Sequence, residues 1–69
     1  MAVIQKRVGE KIRVLRRQRG LSQEKLAEMI KMDFTSVNEL ENGKRNPSLK
    51  TIHKIARALK VPVENLFRE

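Results

Sequence analysis

Apolar residues recur along the chain at the three- and four-residue spacing of amphipathic helices, without the alternation typical of strands. The first apolar stripe, formed by Val8, Ile12 and Leu15, predicts a helix from about Ile4 to Arg19. Gly20 provides the left-handed residue that ends it. The pattern therefore predicts an all-α chain.

Two short helices are predicted next, each preceded by a capping residue. Ser22 caps a second helix that ends near Ile30, and Asp33 caps a third helix that ends at Asn42-Gly43. The inward positions are Leu26, Met29 and Ile30 in the second helix and Val37 and Leu40 in the third. Hydrophobic staples are predicted between Leu21 and Leu26 and between Met32 and Val37. A tight turn should therefore join two stapled helices.

The remaining chain predicts two further helices. Ser48 caps a fourth helix with Leu49, Ile52, Ile55, Ala56 and Leu59 on one face, and Pro62 opens a short fifth helix with Leu66 and Phe67. The expected architecture is a compact five-helix bundle, all-α, in which residues 1–69 form one domain with a radius of gyration of about 11 Å.

Composition excludes several classes of protein. The 69 residues include no cysteine, which excludes disulfides, thiolate nucleophiles and cysteine-based zinc sites. Apolar runs are too short for a membrane span. His53, the single histidine, has no carboxylate within a helical turn, so no metal or catalytic site is predicted. We expect a cytoplasmic protein that is not an enzyme, with no cofactor, no metal, no membrane contact and no small-molecule ligand.

Basic residues concentrate in two blocks around an acidic middle. The net charge is +6 over residues 1–20, −3 over 21–43, +6 over 44–60 and −1 over 61–69, which gives +8 in total. Two positive blocks are typical of surfaces that bind phosphates, whereas lysines that only solubilise helices need no such segregation. The charge distribution favours nucleic acid as the partner.

The third helix presents a polar outer face when Val37 and Leu40 point inward. That face carries Phe34, Thr35, Asn38 and Glu39, which are candidate base contacts in a major groove. Phe34 suits a thymine methyl group, and Glu39 suits a cytosine amine. The alternatives are that Phe34 packs against a neighbouring element and that Glu39 is a solvated helix charge.

Polar residues at both ends of this two-helix unit are candidate phosphate contacts. Gln23 lies at the first position of the second helix, where free backbone N–H groups and the helix dipole attract anions. The third helix is followed by Asn42, Lys44 and Arg45, which should lie over the next segment of the phosphate backbone of the nucleic acid. A plain polar loop is the alternative for these three residues.

Arg16 and Glu41 each follow an apolar stripe by four residues and therefore point toward the core. A buried unpaired charge is costly, so we expect them to form a desolvated, bidentate structural ion pair between the first and third helices. The alternative is that each side chain extends separately to solvent.

A second copy of the chain is the expected protein partner. One small domain contacts too few base pairs to specify a unique site, which favours a homodimer. The C-terminal segment is rich in apolar residues, and we expect Leu66 to point inward and Val63 or Phe67 to lie at the dimer interface. The alternative is that Phe67 closes the core of the monomer.

Several segments together resemble the Cro/C1-type (XRE) helix-turn-helix family, and the resemblance extends from Val8 to Phe67. They are Ile12-Arg13-Val14-Leu15-Arg16, Arg19-Gly20-Leu21-Ser22-Gln23, Leu26-Ala27, Val37, Leu40-Glu41-Asn42-Gly43-Lys44, Asn46-Pro47-Ser48-Leu49 and Ile55-Ala56.

The resemblance implies a sequence-specific regulator, a repressor or autoregulator, that binds a palindromic operator in double-stranded DNA as a homodimer. It places the outer face of the third helix on bases, Gln23 and Asn42 on phosphates, and Arg16 beside Glu41. The family usually has glycine where this chain has Lys31 and Lys60. An antitoxin-like or co-regulator module that binds an acidic protein is the alternative; RNA binding is disfavoured because the only aromatic residues are two phenylalanines.

Overall fold

Four α-helices and a C-terminal 3-10 turn make up the computed structural model, which describes residues 3–67 and their side chains from residue 6 onward. The helices are α1 (Val3–Gln18), α2 (Gln23–Met29), α3 (Phe34–Glu41) and α4 (Leu49–Leu59), and the 3-10 turn spans Val63–Leu66. No strand occurs within residues 3–67, which confirms the all-α class. The expected fifth helix is instead a single 3-10 turn, because four residues are too few for a regular α-helical ladder.

Side-chain caps explain where the helices begin. Ser22, Asp33 and Ser48 each accept a hydrogen bond from the backbone N–H three residues later, at 2.9, 2.8 and 3.1 Å. Each bond satisfies an N–H group that has no partner within its helix. The three capping residues predicted from the sequence are therefore confirmed.

Left-handed residues end the helices. Gly20 and Gly43 have φ values of 70° and 71°, and Lys31 and Lys60 adopt the same conformation at 58° and 57°. Lysine in this conformation costs about 1 kcal/mol relative to glycine. The positive charge next to the negative end of a helix dipole offsets part of that cost. The turns therefore keep a left-handed geometry with lysine at both positions.

The core lies where the four helices and the 3-10 turn meet. Its buried apolar residues are Val8, Ile12, Leu26, Ala27, Ile30, Val37, Leu40, Ile52, Ile55, Ala56, Leu59 and Leu66. Met29 and Leu49, expected to point inward, are 43% and 71% exposed. Ala27 takes the inward position in α2, and Leu49 lies at the first position of α4, one turn before Ile52 enters the core.

Helix α1 packs closely against the end of α3 at Gly9, which is buried. A Cβ atom at Gly9 would lie inside contact distance of the Leu40 carbonyl oxygen and 2.8 Å from that of Glu41. Only glycine allows this approach. The close packing brings the end of α3 against α1 and positions Glu41 between the helices.

No helix within residues 3–67 combines the length and apolar character needed to cross a lipid bilayer.

Candidate nucleic-acid interface

The outer face of α3 carries the four predicted base contacts. Phe34, 48% exposed, and Thr35 are open to solvent, and Asn38 and Glu39 are half-buried. Phe34 does not enter the core, so an exposed aromatic ring stands beside three polar side chains at the beginning and middle of one helix. Such a face can offer an apolar contact, donors and acceptors to the edges of bases.

Hydrogen bonds fix the orientation of the Asn38 side chain. Its Nδ2 donates to Gln23 Oε1 at 3.3 Å, and Asn42 Nδ2 donates to Asn38 Oδ1 at 3.1 Å and to its carbonyl oxygen at 2.9 Å. Each bond uses one part of the amide's capacity, which leaves a second N–H and a second lone pair. The amide is therefore held in place before any ligand arrives.

Gln23 joins the beginning of α2 to α3. Its Nε2 donates to Glu41 Oε1 at 3.0 Å, while its Oε1 accepts from Asn38. The side chain is half-buried within this network. Gln23 thus lies at the beginning of α2, as expected. Its side chain also orients Asn38 through the hydrogen bond to Gln23 Oε1.

Arg16 and Glu41 meet in a bidentate pair. Arg16 Nε lies 2.6 Å from Glu41 Oε2 and Nη2 lies 3.1 Å from Oε1, and the two side chains are 9% and 0% exposed. Arg16 Nη1 also donates to the Leu21 carbonyl oxygen at 2.6 Å. These bonds tie α1 to the end of α3 and to the loop before α2.

Arg13 also belongs to this network, a role that was not predicted from the sequence. Its Nη2 donates to Asn42 Oδ1 at 2.7 Å and to the Glu41 carbonyl oxygen at 3.4 Å, and its Nε lies 3.5 Å from Glu41 Oε1. Arg13 lies three residues before Arg16, on the same side of α1. This three-residue spacing from Arg16 is the feature of the sequence from which the contact of Arg13 could have been predicted.

The loop after α3 supplies cations at one edge of its outer face. Arg45 Nη1 donates to Ser36 Oγ at 2.6 Å and lies 3.5 Å from Glu39 Oε1, so Arg45 folds back over α3. Lys44 and Asn42 are exposed. The structure thus brings Arg45 to Glu39, a contact that the sequence did not predict, and leaves Lys44 in solvent.

The carboxyl group of Asp33 has a lowered pKa. The pKa lies below its usual value of 3.8, mainly because of a hydrogen bond from the Ser36 side chain and, to a smaller extent, one from the Ser36 backbone N–H. The shift reflects the cap of α3. Asp33 therefore stays ionised at the positive end of that helix dipole.

The C-terminal segment exposes an aromatic ring. Leu66 is buried, Val63 is half-buried, and Phe67 is 54% exposed. Phe67 does not close the core, which was the alternative raised from the sequence. An apolar surface therefore remains at the C-terminal end of the described chain.

Sequence comparisons group the chain with known regulators. A family profile described as "Helix-turn-helix" (HTH_3) matches residues 12–66. The chain is 41% identical over 64 residues to the control protein C.MunI of a Mycoplasma species, a match that covers 91% of this chain and 86% of C.MunI. It is 42% identical over 60 residues to the HTH-type transcriptional repressor RghR of Bacillus subtilis strain 168, covering 86% of this chain and 44% of RghR.

A solved structure shows the same fold. The restriction-modification controller protein C.AhdI from Aeromonas hydrophila superposes with a TM-score of 0.87 at 42% sequence identity, over 90% of this chain and 94% of C.AhdI. The arrangement of α1–α4 is thus that of a helix-turn-helix protein, with α2 and α3 as the two helices of the motif.

Proposed function

The chain belongs to the Cro/C1-type (XRE) helix-turn-helix family, and we propose that it is a sequence-specific, double-stranded DNA-binding transcriptional regulator. It acts in the cytoplasm as a repressor or autoregulator, without an enzymatic step or a cofactor. The observation that carries this proposal is the outer face of α3, where an exposed Phe34 and Thr35 adjoin an Asn38 amide that is already oriented. Preorganised donors and acceptors lose little entropy when they meet a base edge.

Each residue on this face has a distinct role in the proposal. Phe34 contacts a thymine methyl group, and Thr35 and Asn38 exchange hydrogen bonds with base edges through their remaining donors and acceptors. Glu39 accepts from a cytosine amine and repels phosphate, so it adds discrimination rather than affinity. Its neighbour Arg45, 3.5 Å away, moderates that negative charge.

Phosphate contacts flank the base contacts. Gln23 and the free backbone N–H groups at the beginning of α2 contact phosphates of one segment of the DNA backbone. The phosphates of the next DNA segment are contacted by Asn42, Lys44 and Arg45. Support comes from the exposure of Lys44 and from the net charge of +8. Each cation that neutralises a phosphate releases a counterion, so binding weakens as salt is added.

Selection of bound sites from a randomised duplex pool tests the proposal directly. Wild-type protein is expected to enrich one half-site, Glu39→Ala to relax it at one position, and Lys44→Ala to weaken all sequences alike and lower the salt slope by about one. Lys44→Ala serves as the matched control, because it alters affinity without altering base contacts. Failure of wild-type protein to enrich any sequence would contradict the proposal.

A homodimer completes the proposed function. One outer face of α3 specifies only a few base pairs, whereas two faces separated by about 34–36 Å specify a palindromic operator. Phe67 is more than half exposed beside a half-buried Val63, so we assign the two-fold interface to these residues.

Sedimentation equilibrium tests the dimer. Phe67→Ala should be folded by circular dichroism yet shift toward monomer, because the exposed ring supplies much of the apolar area at the two-fold axis. Val14→Ala, a truncation of an exposed apolar residue on α1, is the control and should remain dimeric. A folded Phe67→Ala protein that stays dimeric at low concentration would remove Phe67 from the interface.

A further inference from the structure

We propose that a groove between the end of α2 and one face of α4 binds an acidic amphipathic segment of a partner protein. This groove, called the α4 groove below, has a volume of about 760 Å³. Its rim and floor include Lys31, Lys50, His53, Lys54, Arg57 and Met29. The inference goes beyond the proposed DNA binding and does not depend on it.

The charged groups that line the α4 groove are all cationic. Lys50, Lys54 and Arg57 follow one another at spacings of four and three residues, which places them on one face of α4. Lys31 adds a fourth cation from the turn after α2. Within residues 3–67, none of the four side chains pairs with a carboxylate. The groove therefore offers four exposed positive charges to an acidic ligand.

An apolar floor separates this groove from a plain phosphate-binding surface. Met29 is 43% exposed, and Ile30 and Ala58 also line the groove. The phosphates of a DNA backbone make no favourable contact with the Met29 thioether. A leucine or phenylalanine side chain flanked by carboxylates would instead cover the thioether and shield it from water. The combination of an apolar floor and a cationic rim favours an acidic polypeptide over DNA.

The α4 groove lies outside the proposed base-contacting face. None of the four outer-face residues of α3 lines it. A partner segment can therefore occupy the groove while α3 lies in the major groove of DNA. A contact at this position would join a DNA-bound regulator to a second protein that carries an acidic segment.

Fluorescence anisotropy with labelled peptides tests the inference. The probe is a short glutamate-rich peptide with leucine and phenylalanine at helical spacing, and a glutamate-only peptide of equal charge is the control. We expect the amphipathic probe to bind more tightly, to shift the NMR signal of the Met29 methyl group, and to bind free and DNA-bound protein equally. Equal binding of both peptides would show nonspecific charge attraction and overturn the inference.

Two matched pairs of variants locate the site. Lys54→Glu should weaken the probe about fivefold, whereas Arg17→Glu, the same charge change on α1, should have little effect. Lys31→Gly should also weaken the probe while the protein stays folded, because glycine accepts the positive φ of Lys31 without strain. Lys60→Gly, at the other left-handed lysine outside the groove, is its control.

The same variants separate a peptide site from a DNA site. If Lys54→Glu left probe binding unchanged and abolished binding to duplex DNA, the α4 groove would be a phosphate-binding surface and the inference would be wrong. If Lys54→Glu weakened the probe and retained the selected half-site, the inference would stand whatever the outcome for the dimer.

Discussion

The Arg16–Glu41 pair provides the strongest test of how the fold positions α3. Changing Arg16 to Met and Glu41 to Leu, singly and together, removes the charges while retaining much of the apolar volume. Glu41 has a fully buried side chain that accepts from Arg16 at 2.6 and 3.1 Å and from Gln23 at 3.0 Å. Each single change therefore leaves the other charge buried without its main partner.

The expected magnitudes follow from this burial. Breaking a buried ion pair by removing one partner costs about 3–5 kcal/mol, whereas replacing both partners by apolar residues is often close to neutral. Glu41→Leu should be the worse single change, because it strands Arg16 and also leaves the Gln23 amide without an acceptor. The double variant should lose far less than the sum, with a coupling energy of about 3 kcal/mol.

Urea unfolding monitored by circular dichroism measures these quantities. Sodium sulfate in all samples would keep the single variants folded, since it strengthens apolar burial. The exposed pair Lys25–Glu28, with 3.0 Å between Nζ and Oε1, is the control cycle. Its coupling energy should be at most about 0.5 kcal/mol.

Additive effects of the two single changes would refute the reasoning. They would show that Arg16 and Glu41 contribute independently, and that the close contact does not determine the free energy of unfolding. A coupling energy for the buried pair no larger than that of Lys25–Glu28 would lead to the same conclusion.

Two further predictions concern α1 and the cap of α3. Gly9→Ala should lower the free energy of unfolding by about 3 kcal/mol because its methyl group would overlap the Leu40 carbonyl oxygen. In Gly20→Ala, where the added Cβ would meet only its chain neighbours within 4 Å, the free energy of unfolding should fall by about 1 kcal/mol because of the positive φ. Equal thermal midpoints of the two variants would contradict this. The lowered pKa of Asp33 means that ionised Asp33 stabilises the fold above its unfolded pKa near 3.8, and that this contribution is lost as pH falls through the lower folded value. Asp33→Asn should remove that part of the acid dependence, and an NMR titration placing the Asp33 pKa at 3.8 or higher would disprove the role of the Ser36 hydrogen bonds.

The pattern of residues along the chain was enough to predict the four α-helices, the caps of three of them and the family, whereas the predicted fifth helix is a 3-10 turn. Ser22, Asp33 and Ser48 could be identified as caps because a cap bonds to a backbone group only three residues away. The spacing of apolar residues that predicted Ile12 and Val37 to be in the core is likewise a feature within each single helix. Such features depend on neighbours along the chain, and local physics sufficed to predict them.

Contacts between side chains of different helices, and the exposure of some apolar residues, could not be predicted from the sequence. Arg13 contacts Asn42 because α1 passes close to the end of α3 at Gly9. The spacing of apolar residues along the chain does not give the distance between two helices. Arg45 turns back to Ser36 rather than extending from its loop. Met29 fits the apolar stripe of α2 but stays exposed, since the angle between α2 and α4 determines which residues of that stripe are covered. These outcomes depend on how helices cross, and crossing geometry is set by contacts between residues far apart in the sequence.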